Sequence, residues 1–484
     1  MWRGHRKLKA IRQVRICLAL GLLAGGCTIR LVQKKPNLAA LYNRSAQYHG
    51  ADRNPVILIP GVTGSKLVDA KTGRTVWGAF TGNYARPNRP EDARMMALPM
   101  QRGTALRDLR DEVYPDGILD RIRISVLGLP INLRAYFHIL SALGAGGYRD
   151  ETLASSGSVD YGEGHFTCFQ FDYDWRRDNV ESAQRLHAFI QEKKAYIQDE
   201  IRRRDGTAPE SIRFDLVAHS MGALVARYYL RYGAADLPAD GTVPPPTWAG
   251  AENVGRVVLV GPPNAGTLES VEQLFEGKEY GPSLPLYPPG ILGTYPSSYQ
   301  MLPRARFGNF VLDSSEAGSS PDLFDADIWK KNQWGLAAPS ETKILKWLLP
   351  NVPRAYDRKL IALDHLRKSL DRARQFTAAL DLPAAPPEAV QLYLIAGDAV
   401  PTPAVETIDT KKGRLVILER RPGDGAVLRS SALMDERLAG DWSPTLRSPI
   451  RWEGVMFLFR SHLGLTKDPI FTDNLLYWLL EDPR

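Results

Sequence analysis

The sequence predicts an α/β protein in which a mostly parallel sheet is covered by helices on both faces. The first observation is a series of short apolar runs: Pro55–Ile59, Phe169–Tyr173, Ile212–Ala218, Val257–Val260 and Val390–Ile395. They show little polar alternation, as expected of strands buried on both sides. The second is that amphipathic stretches lie between them, which gives the strand–helix alternation of a doubly covered sheet. The third is composition. The 484 residues are 44% hydrophobic and 24% charged, with 41 Gly and 35 Pro. That is ordinary globular usage with many turns, in a chain long enough for a large core.

The first 26 residues read as an export signal. Arg3, Arg6, Lys7, Lys9, Arg12 and Arg15, with no acid among them, precede the apolar run Ile16–Ala24. That run is shorter than the ~20 residues a bilayer span needs. Leu23-Ala24-Gly25-Gly26-Cys27 resembles a bacterial lipobox, in which Cys27 would become the lipidated first residue. Ala24 stands where that pattern prefers Leu, so plain secretion and a retained anchor are the alternatives. The expected location is outside the cytoplasm, as a membrane-anchored lipoprotein facing the periplasm or exterior, with the outer membrane first. Without those six basic residues the net charge of +8 falls to near +2 (8 − 6). No other Lys/Arg run is interleaved with aromatics, so no nucleic-acid partner is expected. Of three cysteines, Cys17, Cys27 and Cys168, only the last would remain free, which excludes an internal disulfide.

Residues 27–53 read as a tether, and 54–484 as one catalytic-type domain. Pro55–Ile59 is a strand feeding the turn Pro60-Gly61. Residues 66–165 carry no motif and read as a cap insertion. Asn179–Arg204 is a helix with Leu186, Ile190 and Ile197 on one side. Residues 265–350, rich in Gly, Pro, Ser and aromatics, read as a long loop or lid. Leu415–Leu418 is a further strand candidate, and Asn474–Leu480 a closing helix.

The most informative segment is Ala218-His219-Ser220-Met221-Gly222, flanked by an apolar strand and a helical run. It matches the strand–Ser–helix turn written G-x-S-x-G, with Ala218 in place of the first Gly. Such a turn is tight, so the positions two before and two after the serine must be small. This context predicts the α/β-hydrolase fold with Ser220 as nucleophile. A serine needs a general base, and that base an orienting carboxylate, in the chain order Ser, acid, His. Two histidines follow Ser220. His365 lies in the charged stretch Asp364–Lys368 and reads as a solvated surface residue. His462 lies in a loop after an apolar run and before the last helix, where this fold places its base. For the acid, the residues leave two choices: Asp398 at the end of the run Leu394–Gly397, and Asp424 between Gly423 and Gly425. The oxyanion donors would be the N–H groups of Met221 and of Val62, in the loop Pro60–Ser65.

Taken in order, Pro60-Gly61-x-x-Gly64-Ser65, Tyr173-Asp174-Trp175-Arg176, Ala218–Gly222, Gly423-Asp424-Gly425 and His462 resemble the lecithin:cholesterol acyltransferase-like family, which includes phospholipases A and phospholipid:diacylglycerol acyltransferases. The segment Gly397–Pro403 resembles the family's Gly-x-x-x-Pro-Thr stretch, and Tyr295–Pro303 its Pro-Ser…Leu-Pro stretch. The resemblance implies Asp424 as the acid, because the family's acid lies in Gly-Asp-Gly. Ala426 stands where the family usually has Thr.

The expected activity is acyl transfer from lipid esters to water or an alcohol through an acyl-enzyme at a membrane surface. Alternatives are an esterase for small soluble esters and a non-catalytic lipid- or partner-binding lipoprotein on the same scaffold. Scattered histidines imply no metal, and nothing implies an organic cofactor. Oligomeric state is not readable. Tyr173–Arg176 reads as structural, with Arg176 paired to an internal carboxylate.

Overall fold

Strands form at Val56–Ile59 (β1), Ser65–Asp69 (β2), Thr75–Trp77 (β3), Val113–Ile118 (β4), Ile122–Val126 (β5), Leu129–Leu133 (β6), Cys168–Gln170 (β7), Phe214–His219 (β8), Val254–Val260 (β9), Phe310–Val311 (β10), Gln391–Gly397 (β11), Val400–Asp409 (β12), Arg414–Gly423 (β13) and Gly454–Leu458 (β14). These come from a computed structural model, which describes residues 37–50, 53–79, 82–119, 122–126, 129–133, 136–281, 284–312, 320–409, 413–440 and 442–483. The export segment 1–26 and Cys27 lie outside the described residues.

Six strands make the main sheet in the order β14-β11-β9-β8-β1-β7. Every pairing in it is parallel. β1, β8 and β9 are buried along their whole length, which is why they read as unbroken apolar runs. Alternate residues serve opposite faces. Ile57, Ile59, Leu216 and Leu259 pack with the helices Asn179–Asp205 and Met221–Tyr232. Val56, Leu58, Val217 and Val258 pack with Phe137–Ala145 and Pro469–Leu480. The chain is thus an α/β fold with the layering of the α/β-hydrolases.

Several segments differ from the sequence reading. Leu415–Leu418 is strand, but in an antiparallel hairpin of β12 and β13 outside the main sheet, with Val416, Ile417 and Leu418 exposed. Residues 265–350 contain short helices, among them Leu268–Glu276, Ala326–Asn332 and Thr342–Leu348. Their apolar side chains join a cluster with Trp329 and the 27-residue helix Ala355–Asp381. His365 lies on that helix and is buried, not solvated. Its helical neighbours Ala362, Ser369 and Leu370 face inward with it, while Arg367 points outward. Residues 38–50 form two short turns of helix, and the Tyr42 hydroxyl donates to Asp473 at 2.8 Å. No helix among the described residues is long and apolar enough to cross a membrane.

Candidate active site

Ser220 follows the last residue of β8 and precedes the helix Met221–Tyr232 with φ +54° and ψ −127°. A non-glycine residue rarely adopts that conformation, which costs ~1–3 kcal/mol and is held by its surroundings. Crowding explains the small neighbour. A Cβ at Gly222 would lie 2.3 Å from the Pro60 carbonyl oxygen, so only glycine fits there. β8 runs between β1 and β9, and this presents the hydroxyl at the carboxyl end of the sheet centre.

His462 enters from the loop after β14, the edge strand beside β11. Its Nε2 lies 2.9 Å from Ser220 Oγ, and its Nδ1 lies 2.7 Å from Asp424 Oδ2. Gly261, just past β9, makes room for the ring: a Cβ there would meet His462 Cε1 at 3.0 Å.

Asp424 sits just past β13, and only 2% of it is exposed. Its Oδ1 accepts the N–H groups of Ala426 (3.0 Å) and Val427 (2.7 Å). Its carbonyl accepts the His462 N–H at 2.9 Å, so backbone and side chain both tie the two residues. Gly425 N–H donates to Thr402 Oγ1 at 2.8 Å, which anchors the turn to β12. Burial alone would raise the Asp424 carboxyl, but the charge and hydrogen bond of His462 hold it below the usual carboxylate range. Burial likewise opposes protonation of His462, but Asp424 outweighs it and holds the imidazole above its ordinary value. Asp398, at the end of β11, is half-buried and makes no hydrogen bond to His462 among the described residues.

The loop after β1 passes against Ser220. A Cβ at Gly61 would come within 2.7 Å of Ser220 Cβ. Gly61 N–H donates to the Tyr136 hydroxyl at 2.7 Å, and Gly64 N–H to the Gly61 carbonyl at 3.1 Å. The N–H of Val62 meets no acceptor among the described residues. Met221 opens its helix, where an N–H has no intrahelical acceptor.

Tyr173–Arg176 supports this loop from the side. The Tyr173 hydroxyl donates to the Pro60 carbonyl at 2.9 Å, and Trp175 Nε1 to the Ser65 carbonyl at 3.1 Å. Arg176 is fully buried between Asp174 and Asp111. Sequence reasoning missed Tyr136, Gly261 and the anchoring role of Thr402. Gly261 left a signal, as the Gly-Pro-Pro that ends a buried strand, and Thr402 lies in the Gly397–Pro403 stretch, but Tyr136 left none.

A family model described as lecithin:cholesterol acyltransferase matches residues 152–414, more than half of the chain. The chain belongs to the lecithin:cholesterol acyltransferase family. Membership makes it an acyltransferase- or phospholipase-like α/β-hydrolase. Ser220 lies inside the matched span, whereas Asp424 and His462 lie beyond it. No curated protein matches the sequence. Among solved structures, one titled the crystal structure of the Tle4–Tli4 complex aligns at a TM-score of 0.57 and 15% identity, covering 89% of this chain and 99% of that one. At that identity the likeness concerns fold alone. A product of the gene lin2722 from Listeria innocua aligns over 90% of this chain and 96% of that one, at 11% identity and a TM-score of 0.27.

Proposed function

We propose that the protein is a serine-dependent acyl hydrolase or O-acyltransferase acting on lipid esters, with Ser220 as nucleophile, His462 as general base and Asp424 as its orienting acid. The observation that carries this is the row Asp424–His462–Ser220, joined at 2.7 and 2.9 Å. Asp424 accepts a hydrogen bond from Nδ1–H, which fixes the tautomer and leaves the Nε2 lone pair facing the hydroxyl. Nε2 removes the Ser220 proton as Oγ attacks the ester carbonyl. Val62 and Met221 N–H groups receive the oxyanion. Nε2 then returns its proton to the departing alcohol, leaving an acyl-serine. Water, or a second alcohol, attacks that acyl-serine by the same relay and takes the acyl group.

Two features favour a lipid donor such as a phospholipid, glycerolipid or sterol ester. One is family membership. The other is the site's rim, where Phe459 and Leu463 on either side of His462 are 78% and 49% exposed. Apolar side chains left in water beside a site suit a membrane surface. The export signal and Cys27 fit a lipid-anchored protein outside the cytoplasm, next to such a surface.

The test is labelling of the intact protein with a fluorophosphonate, followed by mass spectrometry of products from a phospholipid mixture with and without added sterol or diacylglycerol. The reading expects Ser220 to be labelled and long-chain esters to be preferred. Free fatty acid alone means a hydrolase, and a new ester means a transferase. An unlabelled Ser220 with no turnover would refute the enzyme, and equal turnover of short and long esters would refute the lipid substrate.

A further inference from the structure

We propose that Tyr136 is a positioning residue for the oxyanion loop: its hydroxyl braces the Gly61 backbone against the His219 ring behind Ser220. The proposal rests on the reading of Ser220 as nucleophile.

Tyr136 lies at the start of the helix Phe137–Ala145, beneath the carboxyl ends of β1 and β8, and is only 4% exposed. Its hydroxyl oxygen is 2.7 Å from the Gly61 nitrogen and 3.3 Å from His219 Nδ1. Gly64 leaves space for this oxygen, since a Cβ there would lie 2.7 Å from it. The loop's second glycine therefore serves the tyrosine, not only the turn.

The Gly61 amide fixes the direction of the first bond, and the proposed relay sets that of the second. The Gly61 amide can only donate, so the hydroxyl accepts from it. The hydroxyl has one proton of its own, and in the proposed relay it goes to the remaining partner, His219 Nδ1, which is then an unprotonated acceptor. That requires a neutral ring carrying its proton on Nε2. Burial and the adjacent His462 push the His219 imidazole down to about 3, so it is neutral at physiological pH. The relay thus runs from Gly61 N–H through Tyr136 O–H to His219 Nδ1. Hydrogen bonds aligned in this way reinforce one another.

The geometry gives the relay two consequences. It occupies the Gly61 amide and turns it away from Ser220, which leaves Val62 as the loop's donor toward the site. It also holds the residue before the nucleophile, whose ring lies tilted at 42° to that of His462 with centroids 4.8 Å apart. Without the hydroxyl, the Gly61 amide is buried and unpartnered, and the loop relaxes toward any acceptor within reach. The ground state loses little, because substrate binding does not use this amide. The transition state loses an aligned donor.

The experiment compares wild type, Tyr136→Phe and Ser220→Ala on one ester, together with the affinity of a boronic acid that forms a tetrahedral anion on a serine. Tyr136→Phe is expected to lower kcat about tenfold, the scale of one buried hydrogen bond. KM should be unchanged, boronate affinity should fall by the same factor, and the melting temperature should fall by only about a few degrees, the scale of one unpartnered buried amide. An unchanged kcat, or a raised KM with kcat retained, would overturn the brace. A Ser220→Ala variant that keeps wild-type turnover would instead overturn the underlying reading. A second measurement needs no variant. In ¹⁵N-histidine NMR of the wild type at neutral pH, His219 should show an unprotonated Nδ1 and a protonated Nε2; a proton on Nδ1 would rule the relay out.

Discussion

At the carboxyl end of β8, a buried carboxylate, an imidazole and a hydroxyl stand in a row. Around Arg176, a buried guanidinium is enclosed by Asp174, Asp111 and the carbonyls of Met95 and Met96. Both regions bury charge, but they finish differently. Arg176 places Nε and Nη2 on Asp174, Nη2 also on Asp111, and Nη1 on the two carbonyls, so its donor fork is saturated. The row at β8 is satisfied at its Asp424 end by the amides of Ala426 and Val427 and is open at Ser220. A closed buried network holds a backbone in place. An open one ends, in the proposed mechanism, on the atom that reacts. The two are joined, because Asp174 and Arg176 fix the segment whose Tyr173 and Trp175 brace the loop opposite Ser220.

This contrast can be broken or sharpened at three places. The largest effect belongs to the row. Asp424→Asn should lower kcat by about 10⁴ by favouring the wrong histidine tautomer, while Asp398→Asn leaves kcat unchanged. Steady-state kinetics on both variants decide this, and the opposite pattern would transfer the acid to Asp398. Next comes the closed network. Arg176→Met strands Asp174 and Asp111 without their cation, and should cost about 3–5 kcal/mol of stability in urea unfolding. The kcat per folded molecule should fall as well, because this network fixes the segment that braces the loop opposite Ser220, and a stability loss below ~1 kcal/mol would show the network to be weaker than its geometry. The smallest effect concerns His365, which donates to the Thr294 carbonyl from a fully buried site. Burial holds its imidazole down at about 4 against an ordinary 6.5. Unfolded chains take up this proton first, so stability falls as pH drops from about 6.5 toward 4. By pH 5 the loss from this residue is about 2 kcal/mol. His365→Leu should flatten melting temperature against pH between 7 and 5, and an unchanged slope would place the acid sensitivity elsewhere.

Much of the sheet was legible because its central strands are buried on both faces and carry few polar residues. The position of Ser220 was legible for a steric reason: only small residues fit two before and two after it. Asp424 and Asp398 could not be separated by inspection of the residues, since each follows a strand. The resemblance favoured Asp424, and the packing of the β12–β13 hairpin is what brings Asp424 to His462. β14 was legible only as the apolar run before His462, because an edge strand such as Gly454–Leu458 is only partly buried. His365 was misread because the charges of Asp364, Arg367 and Lys368 hide an inward-facing stripe on a long helix. The helices between 265 and 350 are short and rich in breakers, and they are held by tertiary contacts such as those of Trp329. Tyr136 had no signature, since its bond spans 75 positions and ends on a backbone amide.

The imidazole and the hydroxyl that meet at the centre of the molecule are 242 positions apart in the chain. Between them run β9, the long helix Ala355–Asp381, β11, the outlying hairpin and the edge strand. On a ribosome, the elbow emerges and can fold long before its proton acceptor has been made. In the proposed mechanism, a nascent chain therefore carries the serine without the means to activate it, and competence arrives only when the sheet's outermost strand docks.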